Sequence, residues 1–589
     1  MVKKRPSAYD IHILMIGLFV FLFHGAKLNS DVVGIDTEDI IHLQGDFYGG
    51  WLNTGRQGLV LIKLLTGNLR FNPYFTGIMT LVLYVLSVSA FFLLWDRIAG
   101  NRLMTRAVSV SSGRKDSARL WAWGLGGLLW ISHPMMAEQF YFSLQSLEIC
   151  LCLLMTAASL YLSYRWAYKL HPAPAIGSVI LLLVTFSCYQ TFVVLYIFGT
   201  VSIVFLQALK DISGKKEISG SGLIKRVIPY VIIFFIAFML NMLITRLFFS
   251  SSSYLRDQIL WGKAETIDCF RAIAGHVIKV FTGYDSIFYH WGMGILAVSD
   301  LLLLIRFFRW YGSGRKGVIG VTLFFYLALF VTPFMLTVLM GCSPAIRSQL
   351  ILPAILGFLG YLGIWLVRLE CPISKERMPS AGERTFLKER TAEEKRTLVK
   401  ERTAEEKRTL IKERTAKERT SGKAGRVREA SAKKGIYSIG FVFIVSVCVI
   451  TGMEQAKVTE RLYYTDKCRY EQDVALGRAL IDHIWQANEG NGDLPIFVVG
   501  SREFTGNHSC VMGEVIGRSF FSYDTDVSPQ YYWSTRRVLG FLHSLGADFE
   551  QVTEQWMWEA LEYSQDMPVW PAEGSVADKS GMIIIKLSE

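Results

Sequence analysis

The sequence predicts an all-α polytopic membrane protein with a small α/β domain at its C-terminal end. Three observations carry that prediction. Of the 589 residues 51% are hydrophobic, the mean hydropathy is +0.33, and apolar runs near the ~20 residues needed to cross hydrocarbon recur along the chain. Lys and Arg gather in alternate connections between those runs, as membrane orientation requires. After residue 453 the long apolar runs stop and a charged, aromatic segment follows. The formal net charge of +12 therefore marks orientation in a lipid bilayer and not a nucleic-acid partner.

The first run, Ile11 to Ala26, follows Lys3, Lys4 and Arg5. Signal-peptide cleavage asks for small residues at A-x-A spacing, and His24 before Ala26 does not fit, so the run is expected to stay as a span with its N-terminus in the cytoplasm. The connection 28–74 is then outside, and its length is far beyond the usual few residues, which points to function. A second run, Ile78 to Leu94, leads to the basic Arg97, Arg102, Arg106, Arg114, Lys115 and Arg119. The third, Leu120 to Ser132, ends at an outer segment from His133-Pro134 to Glu138-Gln139, and the fourth, Leu144 to Tyr164, returns to Arg165 and Lys169. Runs at Ala175 to Phe186 and Thr191 to Leu206 form a hairpin about Ser187-Cys188-Tyr189-Gln190, followed by Lys210, Lys215, Lys216, Lys225 and Arg226. The seventh, Val227 to Phe249, carries Arg246 near its outer end and opens into a second outer segment, 250–290, with Arg256 and His276. Runs at Gly292 to Phe307, Val318 to Met340 and Leu350 to Val367 follow, the last two joined through Cys342 to Arg347. With Gly435 to Ile450 the count is about eleven spans, and the C-terminus falls outside.

Four regions result: a multispan domain 1–370, a cytoplasmic insert 371–434, a last span 435–452 and an external α/β domain 453–589. The insert holds a 12-residue repeat, LKERTAEEKRTL and its variants, whose acids and bases three or four apart support a solvated helix. It is either a contact for a partner or lipid headgroups or, the preferred reading, a tolerated surface expansion. In the terminal domain Ile496 to Gly500 and Met582 to Leu587 read as buried strands, and Asp473 to Asn488 and Val552 to Tyr563 as helices. Tyr531-Tyr532-Trp533 is either core or a stacking surface for sugar. Among nine cysteines, those in apolar runs act as small fillers, while Cys468 and Cys510 are either a disulfide or two free thiols.

The outer connection 28–74 concentrates the candidate chemistry. Asp31, Asp36, Glu38 and Asp39 lie close together, and Arg56 follows a cluster of Tyr48, Gly49, Gly50 and Trp51. Such acids serve as a general base with electrostatic support, or are ordinary solvated carboxylates. Arg56, Arg246 and Arg347 are candidates to hold a phosphate in a bidentate grip, or are interface anchors. Trp51, His133, Tyr189 and Gln190 are the candidates for substrate contact, with a tight turn as the alternative for the last two. G-x-x-x-x-G-K-[ST], H-E-x-x-H and G-x-S-x-G are all missing, which argues against an ATP-driven pump and a common hydrolase. No Cys or His spacing of the metal type occurs, no cofactor is implied, and divalent-metal dependence is not legible.

The order Gly34-Ile-Asp-Thr-Glu-Asp39, Trp51-Leu-Asn-Thr-Gly-Arg-Gln-Gly58, Ser187-Cys-Tyr-Gln190, then Arg347 leading into Leu350-Ile-Leu-Pro353, resembles the bacterial glucosyl transferase type II family over about Tyr9 to Val367. These membrane enzymes are related to phage-encoded O-antigen-modifying glucosyltransferases. The resemblance implies a GT-C-like fold with catalytic acids on the first outer loop, here Asp36, Glu38 and Asp39. It implies a polyprenyl-phosphate sugar donor, typically undecaprenyl-phosphate glucose, and a cell-surface glycan or its lipid-linked precursor as acceptor. The expected location is the bacterial plasma membrane. A lipid-linked sugar flippase or other transporter is the competing class. It predicts internal repeats and midplane sites, whereas the polar clusters here lie at outer ends. A sensor built on the external domain would leave the acidic loop unexplained.

Overall fold

The computed structural model describes residues 8–28, 32–100, 113–169, 171–214, 219–249, 257–312, 315–369, 405–488 and 494–589. Asp31, Arg102, Arg106, Lys215, Lys216, Arg256 and the insert up to residue 404 lie outside them.

Helix α1 (Ala8–His24) leads into the long first connection, which folds into α2 (Thr37–His42), α3 (Gln44–Asn53) and α4 (Gln57–Thr66). Asn72 then caps α5 (Pro73–Ala99), its side chain accepting from Phe75 N–H at 3.0 Å with Pro73 at the first helical position. The chain continues through α6 (Gly113–Ile131), the short α7 (Met135–Tyr141), α8 (Ser143–Lys169), α9 (Pro172–Cys188) and α10 (Thr191–Ser213). Next come α11 (Ile228–Phe248), α12 (Thr266–Thr282), α13 (Gly292–Tyr311), α14 (Lys316–Val331) and α15 (Ile351–Leu369). The end of the insert, the last expected span and the expected helix 473–488 are one continuous helix, α16 (Glu405–Ala487).

Among the described residues, seven of the expected spans are helices long and apolar enough to cross a membrane: Tyr9–Leu28, Pro73–Ala99, Ser143–Lys169, Thr191–Ser213, Gly220–Phe248, Lys316–Met340 and Ile439–Ala487. The other four expected spans are also helices, α6, α9, α13 and α15, but shorter or more polar than those seven. Trp95, Trp123, Trp130 and Trp365 are fully buried at the centre, where the ring centroids of Trp95 and Phe358 are 4.9 Å apart. Helices α6 and α15 touch through glycines: a Cβ on Gly126 would stand 2.6 Å from the Gly357 carbonyl oxygen. Small residues allow this close approach between apolar helices. At one end of the bundle basic side chains are paired. Arg119 meets Asp96 at 2.6 Å, Arg226 meets Asp211 at 2.7 Å, and Arg97 stacks on Tyr161 at 4.9 Å.

The C-terminal lobe holds β1 (Ile496–Val499), α17 (Tyr532–Ser544), α18 (Glu554–Gln565), β2 (Val576–Lys579) and β3 (Met582–Lys586). The sheet order is β1-β3-β2, with β1 parallel and β2 antiparallel to β3. Phe497, Val499, Met582 and Ile584 pack with Met557 and Ala560 of α18 in a small core of their own. Ile496, Val498, Ile583 and Ile585 join the main core, as do Val538, Leu539 and Phe541 of α17. Both faces are covered, which is why the two strands expected from sequence are unbroken apolar runs. Cys468 and Cys510 are free thiols, so the disulfide alternative does not hold.

Candidate active site

The first connection is gripped from two directions. Arg469 of α16 is fully buried, donates to the Val33 carbonyl at 3.2 Å, and pairs with Asp466 at 2.5 Å and Asp473 at 3.3 Å. From α7, the Tyr141 hydroxyl accepts the Ile35 N–H at 2.9 Å. Gly34 permits that approach, since a Cβ there would lie 2.9 Å from the Tyr141 carbonyl oxygen. The chain then turns through Asp36, which holds φ 70 at the N-terminal end of α2 and makes no side-chain cap bond. A non-glycine residue in the left-handed region costs backbone energy, and such strain tends to gather at functional sites.

Helix α17 of the lobe lies across α2 and brings two arginines to the expected acids. Arg537 Nη1 donates to Glu38 Oε1 at 2.5 Å and to Asp36 Oδ1 at 3.3 Å, while Nε and Nη2 donate to Asp524 Oδ2 at 2.9 and 2.6 Å. Arg536 Nε donates to Asp39 Oδ1 at 3.4 Å. The side chains of Asp36, Asp39 and Glu38 are 39%, 20% and 0% exposed, so the three acids are not equivalent. Burial pushes the Glu38 carboxyl up to about 8; Arg537 opposes the shift, and Asp36 and Asp39 add to it. Burial works against the Arg537 cation, but Glu38, Asp36 and Asp524 outweigh it and hold the guanidinium well above its ordinary value. Four carboxyl groups face two guanidinium groups, and the sealed Glu38 is the one placed to keep a proton.

A second group carries positive charge. Arg56 stacks on the Tyr189 ring at 5.5 Å, and its Nε is buried with no hydrogen-bond partner among the described residues. Gln57 donates to Asn241 at 3.2 Å and Thr245 at 3.1 Å on α11, beside the exposed Arg246. Next to the half-buried Gln190, Thr191 donates to the Ser348 carbonyl at 2.8 Å, which ties this turn to Arg347. Arg347 stacks on Phe142 at 4.5 Å. Its neighbour Ile346 donates its N–H to Glu514 Oε2 of the lobe at 2.8 Å. The Tyr523 ring lies 5.0 Å from the Arg537 guanidinium and 5.8 Å from that of Arg518. Burial, then Asp36 and Asp524, push its hydroxyl up, while Arg537 and Arg347 pull it down.

The other two expected contact residues are elsewhere. Trp51 is 5% exposed, 5.0 Å from the Phe47 ring, with Lys63 over its face at 5.9 Å. His133 is buried at the turn before α7, where Nδ1 accepts the Met135 N–H at 3.4 Å; burial, then His290, push its imidazole down to about 3. Trp51 belongs to the main hydrophobic core. The site also includes Glu138, Asp524, Tyr523, Glu514, Arg536 and Arg537, which carry no catalytic motif in the sequence. Buried Glu138 accepts the backbone N–H groups of Glu514 at 2.6 Å and Val515 at 3.3 Å, a further tie between bundle and lobe. The available signal was the Arg536-Arg537 pair just after Tyr531-Tyr532-Trp533, followed by apolar 538, 539, 541 and 542 at helical spacing.

Searches of curated proteins and of solved structures found no match. A family model described as Glucosyl transferase GtrII matches residues 25–365, which include the acids, Arg56, Tyr189, Gln190, Arg246 and Arg347 but end before α16 and the lobe. With more than half of its 589 residues matched and seven helices fit to cross a membrane, the chain belongs to the GtrII glucosyl transferase family of membrane glucosyltransferases.

Proposed function

We propose that this glucosyltransferase moves a hexose, glucose by family, from a polyprenyl-phosphate donor to a cell-surface glycan or its lipid-linked precursor. In this reading the fold is of the GT-C type, the lobe and first connection face outward from the bacterial plasma membrane, and the paired basic end faces the cytoplasm. The observation that carries it is the cluster of Asp36, Glu38 and Asp39 held by Arg536 and Arg537 of the lobe, with Tyr523 of the lobe feeling the charges of both Asp36 and Arg347.

Asp36 is the general base. It is the most exposed of the three acids and is held in a strained turn. It takes the proton of an acceptor hydroxyl as that oxygen attacks the anomeric carbon, and the bond from that carbon to the donor phosphate breaks. Arg347 and Arg56, with Arg246 at the rim, stabilise the charge that develops on the leaving phosphate. Tyr189 and Gln190 set the position of Arg56 and the wall beside it. A single displacement inverts the anomeric centre. The seal around Glu38 supports this route, because a buried carboxyl that keeps its proton is a poor second nucleophile. A cavity of ≈ 290 Å³, lined by Leu22, Phe23, Lys27, Tyr141, Tyr463 and Asp466, lies beside Tyr141, whose hydroxyl holds the turn before Asp36.

The test is hexose transfer from a polyprenyl-phosphate donor in membranes, with protein levels matched. Asp36→Asn keeps size and removes proton acceptance, so transfer is expected to fall by about 10²- to 10⁴-fold. Asp39→Asn is expected to cost less, because that carboxylate is half as exposed as Asp36 and is paired with Arg536 at 3.4 Å. An Asp36→Asn enzyme that keeps more than about a tenth of the rate overturns the assignment of the base.

A further inference from the structure

We propose that His42, His543 and Asp548 form a divalent transition-metal site, of the zinc type, that clamps the first connection to the C-terminal lobe. Asp548 Oδ1 lies 3.4 Å from His42 Nε2 and 3.1 Å from His543 Nδ1, and one donor atom from each residue falls within 4.8 Å of the other two. The two imidazole rings are 4.5 Å apart and tilted by 37°. A tetrahedral ion with bonds of about 2.0–2.1 Å has ligand atoms about 3.3–3.4 Å apart, so these separations suit one metal at their centre. Two imidazoles and a carboxylate are a donor set that Zn²⁺ accepts, with a fourth position left for water.

The hydrogen bonding of the protein alone leaves the group incomplete. Both rings compete for one carboxylate oxygen. The Asp548 side chain is 75% exposed, which gives an ion direct access from solvent. The three ligands also come from both sides of one interface. His42 ends α2, one turn after Glu38; His543 lies in the last turn of α17; Asp548 follows α17. A bound ion would therefore lock the same pair of helices that the Arg536 and Arg537 ion pairs hold. This inference is independent of the donor, acceptor and base assigned above.

The test uses the full chain, purified in detergent, stripped with a chelator and titrated with Zn²⁺ against a chromophoric competitor. One equivalent is expected to bind tightly, and Co²⁺ in its place is expected to give the visible absorption of a four-coordinate ion. Asp548→Asn changes an exposed side chain and is expected to preserve the fold, yet to weaken binding by more than about 100-fold, beyond the usual effect of losing a group that only hydrogen-bonds to a ligand. His543→Ala is expected to do the same, while His508→Ala, at an exposed histidine outside the cluster, leaves binding unchanged. Zn²⁺ is expected to raise the melting temperature of the parent protein and not of Asp548→Asn. Absence of a stoichiometric site, or binding that all three variants retain, overturns the proposal.

Discussion

Glu38 and Asp36 share one guanidinium nitrogen yet stand in opposite environments, and that contrast divides their roles. Asp36 is 39% exposed, whereas Glu38 is sealed beneath α17. The Glu38 carboxyl is raised from an ordinary 4.5 to about 8. Its protonated form is therefore the one the fold favours. The stability it contributes is complete below about 4.5 and is lost as pH rises through about 8. Glu38→Gln, which cannot ionise, is expected to melt with a flatter pH dependence than the parent between about 4.5 and about 8. Parallel melting curves across that window would show that Glu38 is ionised throughout. The acids were legible in the sequence because four stand within nine residues on a connection too long to be a simple link. Their partners were not, since Arg537 lies 501 residues from Asp36 and no local pattern spans that interval. The His42, His543 and Asp548 group escaped for the same reason: metal-ligand spacing is a signal only when the ligands are neighbours in sequence.

At the level of elements, the long apolar helices announced themselves by length and composition, and β1 and β3 by unbroken apolar runs with both faces buried. Strand β2, Val-Ala-Asp-Lys, is a partly exposed edge strand that joins β3 through a two-residue turn, and it carries no such run. Helix α17 was hidden by its aromatic start, where the sequence left core and sugar stacking open; Tyr531 and Tyr532 pack on the small core, and Trp533 is 40% exposed. The three helices of the first connection were also not foreseen, because their anchor is tertiary. Lys63 of α4 pairs with Glu148 of α8 at 3.0 Å with both side chains fully buried, and its ammonium lies over the Trp51 and Phe71 rings. Removing one partner leaves an unpaired buried charge, so Lys63→Met and Glu148→Gln are each expected to cost about 3–5 kcal/mol. The double variant is expected to recover much of that loss, because no lone charge remains. Thermal inactivation of the four proteins in detergent measures the cycle. Additive losses would show that the pair is not coupled.

At the scale of the whole molecule, Lys and Arg distribution predicts a lobe outside and the paired basic end inside. In a cysteine-free background, Trp558→Cys, at an exposed position on α18, is expected to react with an impermeant maleimide in intact cells. Gly317→Cys, exposed beside Lys316, is expected to react only after permeabilisation, and the reverse pattern would invert the topology. The remaining question is whether the lobe belongs to the enzyme. The family match ends at residue 365, which on sequence grounds makes the lobe an addition. The geometry argues otherwise, because the lobe supplies both guanidinium groups that face Asp36, Glu38 and Asp39. Without them three acids would crowd one short helix and its N-terminal turn, and the turn at Asp36 would lose the group it points to. A chain ended after residue 452 is expected to reach the membrane and yet to transfer hexose at least about thirtyfold more slowly, the rate equivalent of about 2 kcal/mol. Arg537→Met in the full chain is expected to approach that loss, and Arg537→Lys to fall between, since charge survives but the fork that serves three carboxylates does not. If the shortened chain transfers within about threefold of the intact one at equal membrane levels, a difference below ~1 kcal/mol, the acids act without Arg537 and the lobe serves another purpose.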